Sequence, residues 1–328
     1  MEVPAFVNGN NDIYIGDAPI PPEVLTEILI RSGSPRSILC VCSLVCHRWC
    51  KILSAPGFWI RYMEFQSLNL PPTFLRSEPL LNIKKVSIKQ PFGRNLIRNP
   101  SGDNGSFDNW QVRENDGDGF IIEKPPVGCS NSSAYDISTA FATSFGWCSK
   151  VQVVDLWREG IEPVFLDEFC PPITVSEYYT CRFDCSSVYL LDVQLLGDGS
   201  LSLTNETETS SSPDFYFGLS RPFHVRFSVN NVVWRDVTTD TEVIRCRVME
   251  DWTATTLLIL TTFKVFDLDA EWQKIEHTFT NYPKGIRYVF FEHCGKDQQF
   301  WAGHYGSKMA KASVVIHYGN GQRRNIDS

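Results

Sequence analysis

The run Ile20-Pro21-Pro22-Glu23-Val24-Leu25-Thr26-Glu27-Ile28-Leu29 reads as the opening of an amphipathic helix. Proline suits the first helical turn, and Glu23 complements the positive end of the helix dipole there. Val24, Leu25, Ile28 and Leu29 share one face at the 3.6-residue period. Ser32-Gly33-Ser34-Pro35 ends the helix. A second helical run starts near Arg36 and carries Ile38, Leu39, Cys42, Val45, Cys46 and Trp49. Pro56-Gly57 punctuates it before Phe58, Trp59 and Tyr62. A unit of about 45 residues buries too small a share of its surface to be very stable alone. Its apolar positions lie on more than one face, which points to a module that completes its core on a partner.

Working outward, residues 1–19 are polar and rich in Gly and Asn, and read as a loose leader. Residues 66–90 hold Pro71, Pro72 and Pro79 amid mixed polarity, and read as a semi-rigid linker. From Pro91 the pattern changes to short alternating or β-branched runs: Val151–Leu156, Ile173–Val175, Val188–Leu196, Arg287–Phe291 and Ser313–His317. Clusters of Gly, Asp, Asn and Pro separate them, as in an antiparallel sandwich. The expected fold class is therefore α+β and multidomain. An N-terminal all-α module spans 20–65 and a linker 66–90. An all-β antiparallel sandwich spans 91–319, with a tail at 320–328.

The chain has 328 residues and a net charge of −8; 43 % are hydrophobic and 21 % charged. The charge is uneven. Residues 1–89 carry nine basic and seven acidic side chains, and the remainder 21 and 31. An acidic main domain argues against nucleic acid, because affinity for phosphate backbones comes from Lys and Arg. Met1-Glu2-Val3-Pro4 lacks the basic and apolar regions of a secretory signal. The longest apolar runs, Ile38–Cys42 and Leu257–Leu260, fall far short of the roughly 20 residues of a membrane span. A cytosolic protein with its 11 cysteines reduced follows as the expectation.

Catalysis finds no support. Gly-x-Ser-x-Gly, phosphate-loop and dinucleotide fingerprints are missing. Cys42, Cys46 and Cys50 suit small buried hydrophobes better than metal ligands. Asp116 and Asp118 suit a solvated turn better than a calcium site. No cofactor and no metal are expected.

The segment Ile20–Leu29, then Val41-Cys42-Ser43-Leu44-Val45-Cys46-His47-Arg48-Trp49, then Phe58-Trp59, resembles an F-box, with Ile20 in place of the usual Leu. The resemblance implies a Skp-type adaptor as partner and, through it, cullin and RING subunits. Pro21, Leu25, Ile28, Leu29 and Trp59 are then expected to touch or support the adaptor surface.

A second set of blocks extends the likeness. These are Arg94–Gly102, Asp116-Gly117-Asp118-Gly119, Ser144-Phe145-Gly146-Trp147-Cys148, Phe291-Glu292-His293 and Asp297-Gln298-Gln299-Phe300-Trp301-Ala302-Gly303-His304-Tyr305-Gly306. Together they resemble the F-box-associated domain of the sugar-recognising F-box proteins. That family has a galactose-binding, jelly-roll-like sandwich whose end loops bind the chitobiose and mannose part of N-glycans. The resemblance places glycan contacts at Phe145, Phe300, Trp301 and Ala302. Relatives carry Tyr where this chain has Phe300, and Lys where it has Ala302. An aromatic ring stacks on the C–H face of a sugar while polar groups bond its rim, so the stacking surface is kept and a hydroxyl and an ammonium are lost. Phe145 has an equal alternative as a core residue beside Trp147; for Trp301 a sandwich-core place is the lesser alternative, because Gln298-Gln299 and Ala302-Gly303 around it read as loop.

The implied function is a non-catalytic substrate receptor of an SCF-type ubiquitin ligase. It takes N-glycosylated, high-mannose misfolded proteins for ER-associated degradation from the cytosol, near the ER surface. A protein epitope in place of glycan, and a ligase-independent lectin, are the alternatives. One stretch departs from the family: about 60 residues, 197–262, stand where relatives have a short hairpin. A structureless loop that long is unusual in a compact domain. It reads as an insertion or a gene-model artefact.

Overall fold

The computed structural model describes residues 14–15, 18–198, 232–239, 242–249, 257–265 and 270–324. Most of the expected leader, 1–19, and most of the expected insertion therefore lie outside the described residues, as does the end of the tail. Two short strands, β1 (Tyr14–Ile15) and β2 (Ala18–Pro19), pair with each other ahead of the first helix.

Four helices follow: α1 (Pro22–Arg31), α2 (Pro35–Cys40), α3 (His47–Ser54) and α4 (Pro56–Phe65). Proline opens α1, α2 and α4, and the Ser34 hydroxyl accepts the Ser37 N–H at 3.2 Å to cap α2. The run expected to be one helix from Arg36 to Trp49 is broken into α2, a 3-10 turn at Cys42–Leu44, and α3, with Cys46 extended between them. Leu25, Leu29, Ile38, Leu53, Phe58, Trp59 and Met63 form the core of this bundle. The Trp59 indole N–H donates to the Leu53 carbonyl at 2.8 Å.

Residues 66–90, expected as a linker, are folded. They form a 3-10 turn at Thr73–Leu75 and helix α5 (Ile83–Lys89), capped by the Asn82 side chain on the Lys85 N–H at 3.0 Å. Leu75, Leu81, Ile83 and Val86 are buried in the same hydrophobic cluster as Trp59 and Met63. The three prolines masked a helical period that burial against α4 makes stable. The same cluster continues through Phe92 and Phe165 into the sandwich, so the helical and β parts share one core. At the junction the Asn69 amide donates to the Phe92 carbonyl (2.8 Å), and Glu159 holds both Arg94 and Arg98.

The sandwich comprises β3 (Gln111–Asn115), β4 (Ile121–Glu123), β5 (Ala140–Ala142), β6 (Cys148–Asp155), β7 (Ile173–Thr180), β8 (Ser187–Gly197), β9 (Val232–Thr239), β10 (Glu242–Met249), β11 (Leu257–Val265), β12 (Gln273–Phe279), β13 (Ile286–Asp297) and β14 (Lys308–Ile316). Helices α6 (Leu156–Glu159) and α7 (Pro163–Phe169) join β6 to β7. One sheet runs β3-β6-β13-β8-β11-β10-β9 and the other β12-β7-β14-β5-β4, with every named strand pair antiparallel. Alternate residues of β8 (Tyr189, Leu191, Val193, Leu195) and β13 (Val289, Phe291) meet Ile173, Val175, Tyr179 and Ile275 of the facing sheet, as period-2 strands require. The family-like strand expected to resume at Phe263 begins at Leu257, where β11 pairs with β8. The β9–β10 hairpin extends that sheet edge.

Four chain crossings between the sheets, β3–β4, β5–β6, β7–β8 and β13–β14, occur at one end of the sandwich. The opposite end carries α5, α6, α7 and the residues that dock the helical bundle. There Phe92 stacks on Tyr318 (4.1 Å), and Arg323 and Arg324 pin the expected tail to Glu78 and the Glu168 carbonyl. The 12-residue β13 separates the two ends by roughly 35–40 Å.

Candidate functional site

All four crossover loops are tied together at the free end of the sandwich, and Asp297, the last residue of β13, is fully buried at their centre. Its carboxylate accepts the Phe300 N–H at 2.7 Å and the Trp301 N–H at 3.2 Å. Burial raises the Asp297 pKa, and these backbone donors oppose the rise. The Asp297 N–H donates to the Ser144 carbonyl, and the Gln298 N–H to the Ser186 carbonyl. Asp118 reaches across from the β3–β4 loop and accepts the Gly303 N–H at 2.5 Å. The Ser144 hydroxyl donates to the Asp116 carbonyl at 2.8 Å. Gly306 fits only without a side chain: a Cβ there would lie 2.1 Å from the Thr143 hydroxyl oxygen.

On this scaffold the chain turns through a left-handed residue, Phe300 (φ 57°), which throws its ring into solvent at 68 % exposure. Trp301 is 45 % exposed and meets Tyr305 edge-on at 5.5 Å, and the Arg182 guanidinium lies 4.4 Å over the Tyr305 ring. Phe183, on the β7–β8 loop, is 63 % exposed. Trp301 and Phe300 are thus loop-tip aromatics, Ala302 is exposed beside them, and Phe145 is half-buried against Gly117. The four sequence-picked positions fall on two adjoining loops. Sequence reading missed the brace. Asp297 stands three residues before Phe300, the spacing at which a carboxylate caps a turn, and Asp118, in a turn that reads as solvated, holds the Gly303 N–H.

Beneath the tip lies a buried polar chain. The Lys150 ammonium contacts His293 Nε2, His293 Nδ1 lies 2.6 Å from Glu177, and the Tyr189 hydroxyl donates to Glu177 at 2.5 Å. All four side chains are fully buried. Trp110 stacks on His293 at 4.7 Å, and Lys150 sits 3.6 Å over Trp110 and 3.3 Å over Phe141. Burial lowers the His293 pKa to about 4, with Glu177 opposing and Lys150 adding to the drop. Burial drives the Lys150 pKa well down, opposed by Glu177. The chain ties β6, β8 and β13 of one sheet to β7 of the other.

At the opposite end, the helical bundle presents an apolar face. Val24 and Ile28 on α1, with Val41, Leu44 and Val45 around the 3-10 turn, are exposed, Leu44 at 81 %. Of the five expected adaptor contacts, Pro21 and Ile28 are exposed. Leu25, Leu29 and Trp59 are buried in the bundle's own core and support that face from behind. Val41, Leu44 and Val45 were placed inside a continuous helix by the sequence; the break in it brings them to the surface.

Among the described residues no helix is long and apolar enough to cross a membrane, and no group of three or more His, Cys, Asp or Glu side chains is placed to hold a metal ion.

Fold and surfaces together define a two-module protein, a helical bundle with an open apolar face rooted on a β-sandwich with aromatic end loops. The sequence matches the F-box-like family over residues 19–63 and the F-box associated region over residues 87–213 and 259–316. The chain belongs to the F-box proteins that carry an F-box associated region. It is 32 % identical to human F-box only protein 17, covering 90 % of this chain and 91 % of that one. It is 30 % identical to mouse F-box only protein 6 (91 % and 83 %) and to mouse F-box only protein 27 (90 % and 89 %). Residues 214–258, which include β9 and β10, fall between the two matched parts. Among solved structures, a carbohydrate-binding module in complex with β-1,4-galactotriose aligns at a TM-score of 0.33 and 10 % identity, covering 69 % of this chain and all of that one.

Proposed function

We propose that this protein is a non-catalytic substrate receptor of an SCF-type ubiquitin ligase whose loop tip reads N-glycans. On this reading the open face of Val24, Ile28, Val41, Leu44 and Val45 docks a Skp-type adaptor, and through it the cullin and RING subunits. The carrying observation is the pair of solvent-facing rings, Phe300 and Trp301, fixed by hydrogen bonds to a buried aspartate. Exposed aromatics lose binding surface to water unless a ligand covers them, and a pre-set loop spends little entropy on binding. The shared core between bundle and sandwich supports the ligase role, since it holds the two surfaces at a fixed separation. Target lysines are then presented at high effective concentration to the charged conjugating enzyme.

The target class comes from the family resemblance: glycoproteins bearing high-mannose chains, met in the cytosol near the ER during disposal of misfolded chains. Titration of the full chain, co-expressed with adaptor, against chitobiose and high-mannose glycan tests this. Saturable binding that Trp301→Ala removes is expected, and absence of saturable binding refutes the glycan reading. A second reading has a specific observation behind it. Phe300 and Phe183 carry no hydroxyl, and Ala302 no polar group, a rim that suits an apolar protein epitope. Capture of targets that survives enzymatic deglycosylation would select it.

A further inference from the structure

The aromatic loop lacks an ammonium at position 302, but the structure brings one to the same rings from elsewhere. Lys296, next to Asp297 near the end of β13, extends its ammonium to 5.3 Å from the centre of the Phe300 ring and 5.0 Å from that of Trp147. Both distances are within cation–π range. Lys296 is half-buried, lies across the ladder from Val188 and shares a sheet face with Cys294, two residues away, where Trp147, Val188, Leu190 and Cys294 form a small apolar cluster. Phe300 is the ring that a ligand on this tip must meet, because it is the most exposed aromatic of the loop.

We infer that Lys296 is a ligand-contacting, specificity-determining residue of the tip. Its ammonium bonds an oxygen acceptor of the sugar, a hydroxyl or an acetamido carbonyl, that lies over the Trp147 side of Phe300. This rests on the glycan reading above. Three features support it. An ammonium offers three donors and no acceptor, and its contacts with the two rings take up no hydrogen-bond acceptor on a ligand, so donors remain for one. Half-burial and the flanking rings restrict the side chain before binding, which lowers the entropy lost on complex formation. The ammonium approaches from the sheet face and not from the loop crest where Ala302 stands. The acceptor it selects is therefore displaced toward Trp147, and the chain should prefer glycans differently from relatives with Lys at the crest.

The test is a titration of the full chain, co-expressed with adaptor, against chitobiose and high-mannose glycan, using wild type, K296Q, K296R and W301A. Loss of a hydrogen bond from a charged donor should weaken K296Q by about tenfold or more. K296R should stay within about threefold of wild type, and all variants should melt with wild type. Wild-type binding that W301A removes and K296Q leaves unchanged overturns this inference while sparing the glycan reading. Equal loss in K296Q and K296R assigns Lys296 a packing role only and also overturns it. No saturable wild-type binding overturns both.

Discussion

Acidification should weaken this protein through one buried histidine. His293 is fully buried, its pKa held near 4 chiefly by burial. The unfolded chain's histidine titrates near 6.5. Between those values the unfolded state binds a proton that the folded state refuses, so stability falls as pH falls from about 6.5 toward 4. At about 1.4 kcal/mol per pH unit the full effect is ~3 kcal/mol, of which about 2 kcal/mol appears between pH 7 and pH 5. Other carboxylates contribute their own acid dependence. The measurement is therefore a difference: urea unfolding of wild type and His293→Gln at pH 7 and pH 5. Wild type should lose about 2 kcal/mol more than the variant over that interval. Equal losses would refute the argument. Should His293→Gln fail to fold, the ring resonances of His293 in the wild type decide the matter. They should not titrate above pH 5, and a midpoint near 6.5 would show that the ring is not held neutral by burial.

Four further outcomes are expected. Leu44→Glu should abolish co-purification with a Skp-type adaptor while leaving the melting temperature unchanged, because Leu44 is exposed and supports nothing behind it. Trp59→Ala should instead cost about 3–5 kcal/mol in denaturant unfolding, through a core cavity and an orphaned Leu53 carbonyl. Asp297→Ala removes the acceptors of the Phe300 and Trp301 amides; it should cost about 1–3 kcal/mol and raise amide exchange across 298–303. Val86→Asp should unfold the α4–α5 contact, seen as new protease cleavage between residues 66 and 90, since Val86 is buried in the core that both modules share.

Much of this was legible in the residues. Proline at helix starts, a 3.6-residue apolar period and period-2 strands are local signals, set by backbone geometry within a few residues. They located the bundle and the sandwich, while the aromatic pair Phe300–Trp301 came from the resemblance to the F-box-associated domains. Two stretches misled. The prolines of 66–90 imply a linker because local signals cannot register that Leu75, Leu81, Ile83 and Val86 find a core to enter. The run from Arg36 to Trp49 has a helical period, yet its break at the 3-10 turn follows from packing on neighbouring helices.

The sequence by itself determined the order of the modules and the family, because motif spacing is written along the chain. Tertiary structure alone decided which of those residues face outward. Leu25, Leu29 and Trp59 turned inward while Val41, Leu44 and Val45 came to the surface, and Phe145 sank halfway against Gly117. It also decided that the open apolar face and the aromatic loop tip stand at opposite ends of one core, and that the Lys296 ammonium lies over the Phe300 and Trp147 rings. Burial, and contact between residues distant in sequence, are properties of the packed chain. No window of neighbouring residues contains them.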